Sequence, residues 1–298
     1  MASYSRGIKA ITKSGGATVL IEKEGLQRCP AFKFSNINEG RLFIQFLERT
    51  IPAFHKTVAQ NSNYAKLKSV KSQLMGNLVL LTFSYETGDA AGQNMVTICT
   101  DAICKYLNEH APIVPQKWYI ESNMAGDKKA NAINFSSVRG KRLVADVTIP
   151  RKTVLHVLKT TPETMEAYLK NATLATMQAG TTGTQGHFAN GLAALFLATG
   201  NDAACVAEAA AGFTIIEVTP AGDLYAAIVL PSFVAGTVGG GTGLPTQKEC
   251  LKLMGCAGTG NTRKYAEIAT GLLLGGELSI VAALAEGHFT QAHKKWGR

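Results

Sequence analysis

Apolar and polar positions alternate with changing period along this chain. Ala31-Phe-Lys-Phe34 has the period-two character of a short strand. In the next stretch Leu42, Phe43, Phe46, Leu47 and Phe54 fall on one face of a helix, which Asn38 is expected to cap. Two further runs, Tyr64 to Ser72 and Asn77 to Tyr85, read as strands joined at the turn Met75-Gly-Asn77. A second helix is predicted from Ala91 to His110, ended by Pro112, and Lys117-Trp-Tyr-Ile120 supplies a fourth strand. The order β-α-β-β-α-β is the split βαβ arrangement of ferredoxin-like domains.

The chain on either side follows other periods. Residues 140–150 alternate like a strand, and residues 160–211 are mostly helical in pattern. Residues 212–229 hold two apolar strands around the turn Pro220-Ala-Gly-Asp223, and a Gly-rich loop follows over residues 236–243. Thr262 to Lys295 reads as one long or broken helix. The simplest account is an α+β fold: a larger domain with the small domain inserted near its N-terminal end. Residues 1–28 and 135–298 form the large domain, 29–120 the small one, and 121–134 the connection between them.

Composition narrows the function. The chain has 298 residues, 46% of them hydrophobic and 17% charged, which suits folded domains and not disorder. A net charge of +9 comes with two basic groupings, Lys66/Lys68/Lys71 and Lys128/Lys129 with Arg139, Lys141 and Arg142. Neither is interleaved with aromatics or set in a nucleic-acid motif, so an anionic small molecule or cofactor is the expected partner, not DNA. The six cysteines form no CxxC pair and no His cluster completes a metal site, so they read as reduced thiols in a cytoplasmic protein. Met1-Ala-Ser-Tyr-Ser-Arg6 is followed by no apolar run, which argues against a signal peptide. The longest apolar region, Gly271 to Leu284, is broken by Glu277 and reads as a buried helix, not a membrane span.

Four polar positions interrupt apolar or Gly-rich surroundings. Lys128 stands in "AGDKKANAINF", where adjacent ammonium groups precede a small, apolar run. Burying either one without a partner costs several kcal/mol. Asp202 follows an apolar helix, His187 precedes that helix, and His293 lies in the last helix. A buried lysine paired with an aspartate is a preorganised cation that stabilises an oxyanion, and a histidine in reach protonates a leaving group. Taken singly, each has a structural reading: a solvated loop for the lysine pair, a helix-end residue for Asp202, a core or capping residue for His187, a solvated one for His293. Gly88-Asp-Ala-Ala-Gly-Gln-Asn94 lies between a strand and a helix, where backbone N–H groups hold phosphate. It is not the GxGxxG fingerprint, so no Rossmann domain is indicated. The loop over 236–243 is either a ligand loop or a tight turn that needs positive φ.

As an ordered set, "TGDAAGQNMV" (87–96), "ESNMAGDKKANAINF" (121–135), "FLATGNDAA" (196–204), "GTVGGGTGLPTQ" (236–247) and "GELSIVAALAEGHFTQAH" (276–293) resemble the hydroxymethylglutaryl-CoA reductases. The chain looks like a bacterial member from its first residues to its last. The resemblance implies a large domain for acyl-CoA, a small ferredoxin-like domain for NADPH, and a "cis-loop" between them that carries the catalytic lysine. By resemblance that lysine is Lys128, with Asp202 as its charged neighbour and His293 as the proton donor to the departing CoA thiolate. Arg28, Lys129 and Asn190 match positions that hold the hydroxymethylglutaryl group. Asp89, Gly92 and Asn94 match the nicotinamide-cofactor motif, and Arg298 a basic residue near that cofactor. The implied reaction is a double hydride reduction of the thioester to mevalonate, in a homodimer whose active sites are shared between subunits.

Two departures qualify what the resemblance implies. The family's glutamate-bearing segment, "TTEGALVAS", aligns ahead of Met1, and Glu22, Glu24 and Glu121 are not read as replacements. The stretch "CVAEAAAGF" after Asp202 has also lost most of the polar residues common in the family. Alternatives therefore stand beside the reductase: an impaired or altered enzyme, a non-reductive CoA-thioester or polyketide-tailoring enzyme, or a silent subunit paired with a longer relative.

Overall fold

Two hydrophobic cores form along the chain. The computed structural model describes residues 4–290 and Lys294. One unit takes the residues up to Lys23 together with those from Lys128 onward, and the other is the contiguous stretch Glu24–Asp127. Helix α1 (Ser5–Lys13) and strand β1 (Thr18–Arg28) open the chain. Then come β2 (Ala31–Lys33), α2 (Ile37–Asn61), β3 (Lys66–Met75), β4 (Leu78–Glu86), α3 (Gln93–His110) and β5 (Lys117–Tyr119). The remainder holds α4 (Ile133–Ser136), β6 (Gly140–Ile149), α5 (Arg151–Thr153), α6 (Pro162–Gln178), α7 (Phe188–Thr199) and α8 (Val206–Ala209). Strands β7 (Phe213–Val218) and β8 (Leu224–Phe233) and helices α9 (Pro245–Leu253) and α10 (Thr262–Ala285) complete it.

In the contiguous unit, β4 is the central strand. It pairs antiparallel with β3 along one edge, from Met75↔Leu78 to Lys66↔Glu86, and with β2 and the end of β1 along the other. Strand β5 extends the sheet beyond β2. The order from β2 to β5 is thus β-α-β-β-α-β, as the periodicity predicts. Helix α2 buries Phe43, Leu47, Phe54 and Val58 beneath it, a spacing that keeps one stripe on the core. Leu42 was expected on that face but is exposed, because the stripe is narrower than the run of apolar residues. The cap also differs from expectation: it is Asn36, not Asn38, whose side chain accepts from the Asn38 and Glu39 N–H groups. Glu39 closes the reciprocal half by accepting from Ser35 N at 2.9 Å.

The discontinuous unit is built around α10. Fifteen of its residues are buried, from Thr262 to Ala283, so this long apolar helix meets the protein's own core. It meets α1 at Gly7 and Gly275, where a Cβ on Gly7 would stand 1.8 Å from the Gly275 carbonyl oxygen. The Gly7 N–H donates to Ser279 Oγ at 2.8 Å, and Arg6 donates to the Ser279 carbonyl at 3.0 Å. Strands β6, β8 and β7 form an antiparallel layer in that order, with β8 buried along most of its length. The last helix, expected to be long or broken, is broken: α10 stops at Ala285, a turn follows at Gly287 with φ of 68°, and helical backbone resumes at Phe289 and Thr290. None of the six cysteines is in a disulfide; five are buried and Cys250 is partly exposed.

Candidate active site

Lys128 is one of three described non-glycine residues with positive φ, at 58°. A lysine gains nothing from this conformation locally, since the left-handed region costs an L-residue about 1–2 kcal/mol. Such outliers persist where surrounding structure holds them, commonly at functional sites. From this backbone the ammonium reaches Asp202, with Nζ 3.0 Å from Oδ2. Contrary to the buried pair expected from the sequence, the side chains are 45% and 38% exposed. The loop turns them together toward solvent, where the ammonium is accessible to a ligand.

Asp202 owes its place to the way α7 ends. Gly200 follows the helix with φ of 72°, the left-handed turn that glycine accommodates. Asp202 then caps the short turn 203–205, its Oδ1 accepting from the Ala204 N–H at 3.0 Å. One carboxylate oxygen therefore fixes local backbone while the other faces Lys128. The Gly-rich loop lies directly behind this turn. A Cβ on Gly200 would stand 2.2 Å from the Gly241 carbonyl oxygen, and one on Gly241 would stand 2.6 Å from that of Gly200. Residues 236–243 thus act as backbone support for the Asp202 turn, which neither motif nor spacing had revealed. Deeper in, Arg139 Nε lies 2.5 Å from Glu208 Oε2, both side chains fully buried. This pair joins the segment after Lys128 to the segment after Asp202.

His187 precedes α7 and makes no side-chain cap bond. Its ring stacks on Tyr4 at 4.6 Å, the Tyr4 hydroxyl donates to the His187 carbonyl, and burial lowers the imidazole pKa. The reading as a packed histidine at the helix start fits this environment. The carboxylate of Glu277, inside α10, accepts from the His187 N–H at 2.6 Å, the Gly186 N–H at 2.9 Å and the Thr214 hydroxyl at 2.6 Å. Sequence reasoning registered Glu277 only as an interruption of an apolar run. Asn190 is exposed in the first turn of α7, and Lys129 is exposed beside Lys128. His293 and Arg298 lie outside the described residues.

The loop before α3 sits in the contiguous unit. Gly92 has φ of 85° and caps α3, and a Cβ there would come 2.3 Å from the Thr87 side chain. Thr87 itself donates to the Ala90 carbonyl at 3.0 Å. Asp89 is half-buried in this loop and Asn94 is exposed in the first turn of the helix. The arrangement leaves backbone N–H groups at the start of an 18-residue helix, beside a position without a side chain. That donor set suits a phosphate. Arg28 belongs to the same unit and is nearly buried, paired with Glu121 at 2.9 Å and Asp127 at 3.6 Å.

Comparison with known proteins decides the family. The profile for hydroxymethylglutaryl-coenzyme A reductase matches residues 1–298. This chain belongs to that family. The 3-hydroxy-3-methylglutaryl-coenzyme A reductase of Pyrococcus horikoshii is 43% identical over 306 residues, covering 100% of this chain and 74% of the relative. That of Methanothermobacter thermautotrophicus is 38% identical over 302 residues, covering 100% and 75%. Among solved structures, a 3-hydroxy-3-methylglutaryl-coenzyme A reductase of Streptococcus pneumoniae superposes with a TM-score of 0.76 at 17% identity, covering 95% of this chain and 77% of that one. A class II reductase structure from the same organism, bound to NADPH in open conformations, gives 0.76 at 18%, with the same coverage. Family members are oxidoreductases, and the α+β fold is common to this chain and these structures.

Proposed function

We propose that the chain reduces 3-hydroxy-3-methylglutaryl-CoA to mevalonate, with Lys128 holding the oxygen that becomes anionic. The observation carrying this reading is the Lys128–Asp202 pair, 3.0 Å apart on a lysine held in a left-handed backbone. Asp202 holds the ammonium in place, and the ammonium donates hydrogen bonds to the thioester oxygen as charge develops on it. NADPH supplies the two hydride equivalents. Its phosphates are assigned to the loop of Asp89, Gly92 and Asn94, with Arg298 near it by resemblance. Arg28, Lys129 and Asn190 are assigned to the hydroxymethylglutaryl group, and His293 to protonation of the departing CoA thiolate. On this reading residues 29–120, within the unit Glu24–Asp127, form the ferredoxin-like NADPH domain, residues 1–28 and 135–298 bind acyl-CoA, and residues 121–134 are the cis-loop. A cytoplasmic homodimer with shared active sites completes the proposal.

The test follows NADPH oxidation with hydroxymethylglutaryl-CoA as substrate, together with product analysis. The expected result is two NADPH consumed per mevalonate and per free CoA, with turnover lowered roughly 10²–10³-fold in Lys128→Ala. Undiminished turnover in that variant would remove Lys128 from the chemistry.

A further inference from the structure

Resting on that assignment of Asp202, we infer that Asn201 is a positioning residue: its amide ends a directional hydrogen-bond chain through Tyr265 and Thr199 that fixes the turn carrying Asp202. The direction of the chain follows from its far end. Thr199 Oγ1 donates its one proton to the Leu195 carbonyl at 2.7 Å. It can therefore only accept from Tyr265, whose hydroxyl lies 2.8 Å away. Burial keeps the Tyr265 phenol protonated, well above its ordinary value, so it is available as that donor. The Asn201 Nδ2 group then donates to Thr199 Oγ1 at 3.0 Å and to the Tyr265 oxygen at 3.3 Å. Its Oδ1 accepts from the Gly236 N–H at 2.8 Å, at the head of the Gly-rich loop.

Both faces of the amide are thus committed, and neither can be exchanged for the other. The nitrogen faces two oxygens whose protons point elsewhere, and the oxygen faces an N–H. Thr199 and Tyr265 are fully buried, so the anchor belongs to the core and not to a solvated loop. The next residue along the chain is Asp202. Because Asp202 Oδ1 is already held by Ala204 N–H, rotating the preceding peptide would swing Oδ2 away from Lys128.

The discriminating variant is Asn201→Asp, which keeps the shape and replaces two donors by an acceptor. In the full-length protein, Asn201→Asp and Asn201→Ala are expected to lower kcat ~10–100-fold while KM for the acyl-CoA stays within about threefold. Tyr265→Phe should lower kcat less, and should add little to Asn201→Ala when the two are combined, because both break one chain. A readout independent of turnover is amide exchange at Ala204 and Gly236, expected to accelerate at least about tenfold in Asn201→Asp and measurably in the conservative Tyr265→Phe. If the wild-type protein does not reduce hydroxymethylglutaryl-CoA, the functional reading fails, and accelerated exchange at both amides still upholds the anchor. Wild-type kcat and unchanged exchange in Asn201→Asp would overturn the inference. So would a kcat loss in Asn201→Ala that Tyr265→Phe fully adds to.

Discussion

On the proposed function, Lys128 and Asp202 separate what an ion pair does for stability from what it does for chemistry. Pairs this exposed contribute only about 0–1 kcal/mol, because solvent screens them. Lys128→Ala and Asp202→Asn should therefore leave unfolding free energy within about 1 kcal/mol of wild type while turnover falls by orders of magnitude. Denaturant titration beside steady-state kinetics checks this, and a large loss of stability would mean that the pair is structural. Glu277 behaves in the opposite way. It is buried with no cation paired to it among the described residues, and burial raises its pKa above the ordinary 4.5 despite its three donors. A carboxyl whose native pKa is raised contributes stability that is full below its unfolded value and is lost as pH rises through its native value. Glu277→Gln should flatten that decline, visible in melting temperatures recorded from pH 4.5 upward. Sequence resemblance had paired Lys128 with Asp202 correctly. The left-handed backbone of the lysine and the sharing of the two Asp202 oxygens between backbone and ammonium were not legible, because both arise from loops whose course no periodicity encodes.

Among the elements, those with a strong apolar period were readable and those defined by close backbone approach were not. The hairpin β3–β4 and helices α2 and α3 lie where the alternation and the helical stripes put them. The short helix α1 buries only Gly7, Ala10 and Ile11, an apolar stripe of little more than one turn. Its contact with α10 instead depends on the missing side chains at Gly7 and Gly275. Gly7→Val should be costly, in the upper part of the about 1–3 kcal/mol range for overpacking, since the added atoms meet backbone and not a movable side chain. Chemical denaturation would show it as a lowered midpoint with unchanged slope. The Gly-rich loop teaches the same lesson. Its composition was compatible with a ligand loop, whereas the contact between Gly200 and Gly241 makes it the support of the Asp202 turn.

For the whole molecule, the separation into a contiguous and a discontinuous unit carries a folding prediction. The stretch Glu24–Asp127 contains its own core, with Phe32, Phe34, Phe43, Phe54, Phe83 and Tyr85 all below 1% exposed. Expressed alone, residues 24–127 should fold and melt cooperatively, with mixed helix and strand by circular dichroism. A fragment without a cooperative transition would show that this core depends on the rest of the chain. The order β-α-β-β-α-β was legible here because each element is amphipathic against the same small core. The discontinuous unit was harder to read, since α10 is buried all round from Leu273 to Ser279 and its pattern there does not say what surrounds it.

The distribution of the thiols has a practical consequence. Burial raises the pKa of Cys99, Cys104 and Cys256, and Cys29 and Cys205 are also shielded, which leaves Cys250 of α9 as the one partly exposed sulfhydryl. The native protein should take up one equivalent of maleimide quickly and the other five only on unfolding. Because α9 begins two residues after the Gly-rich loop, a fluorophore placed there without any mutation would sit on the frame behind the Asp202 turn and report its movements as ligands arrive.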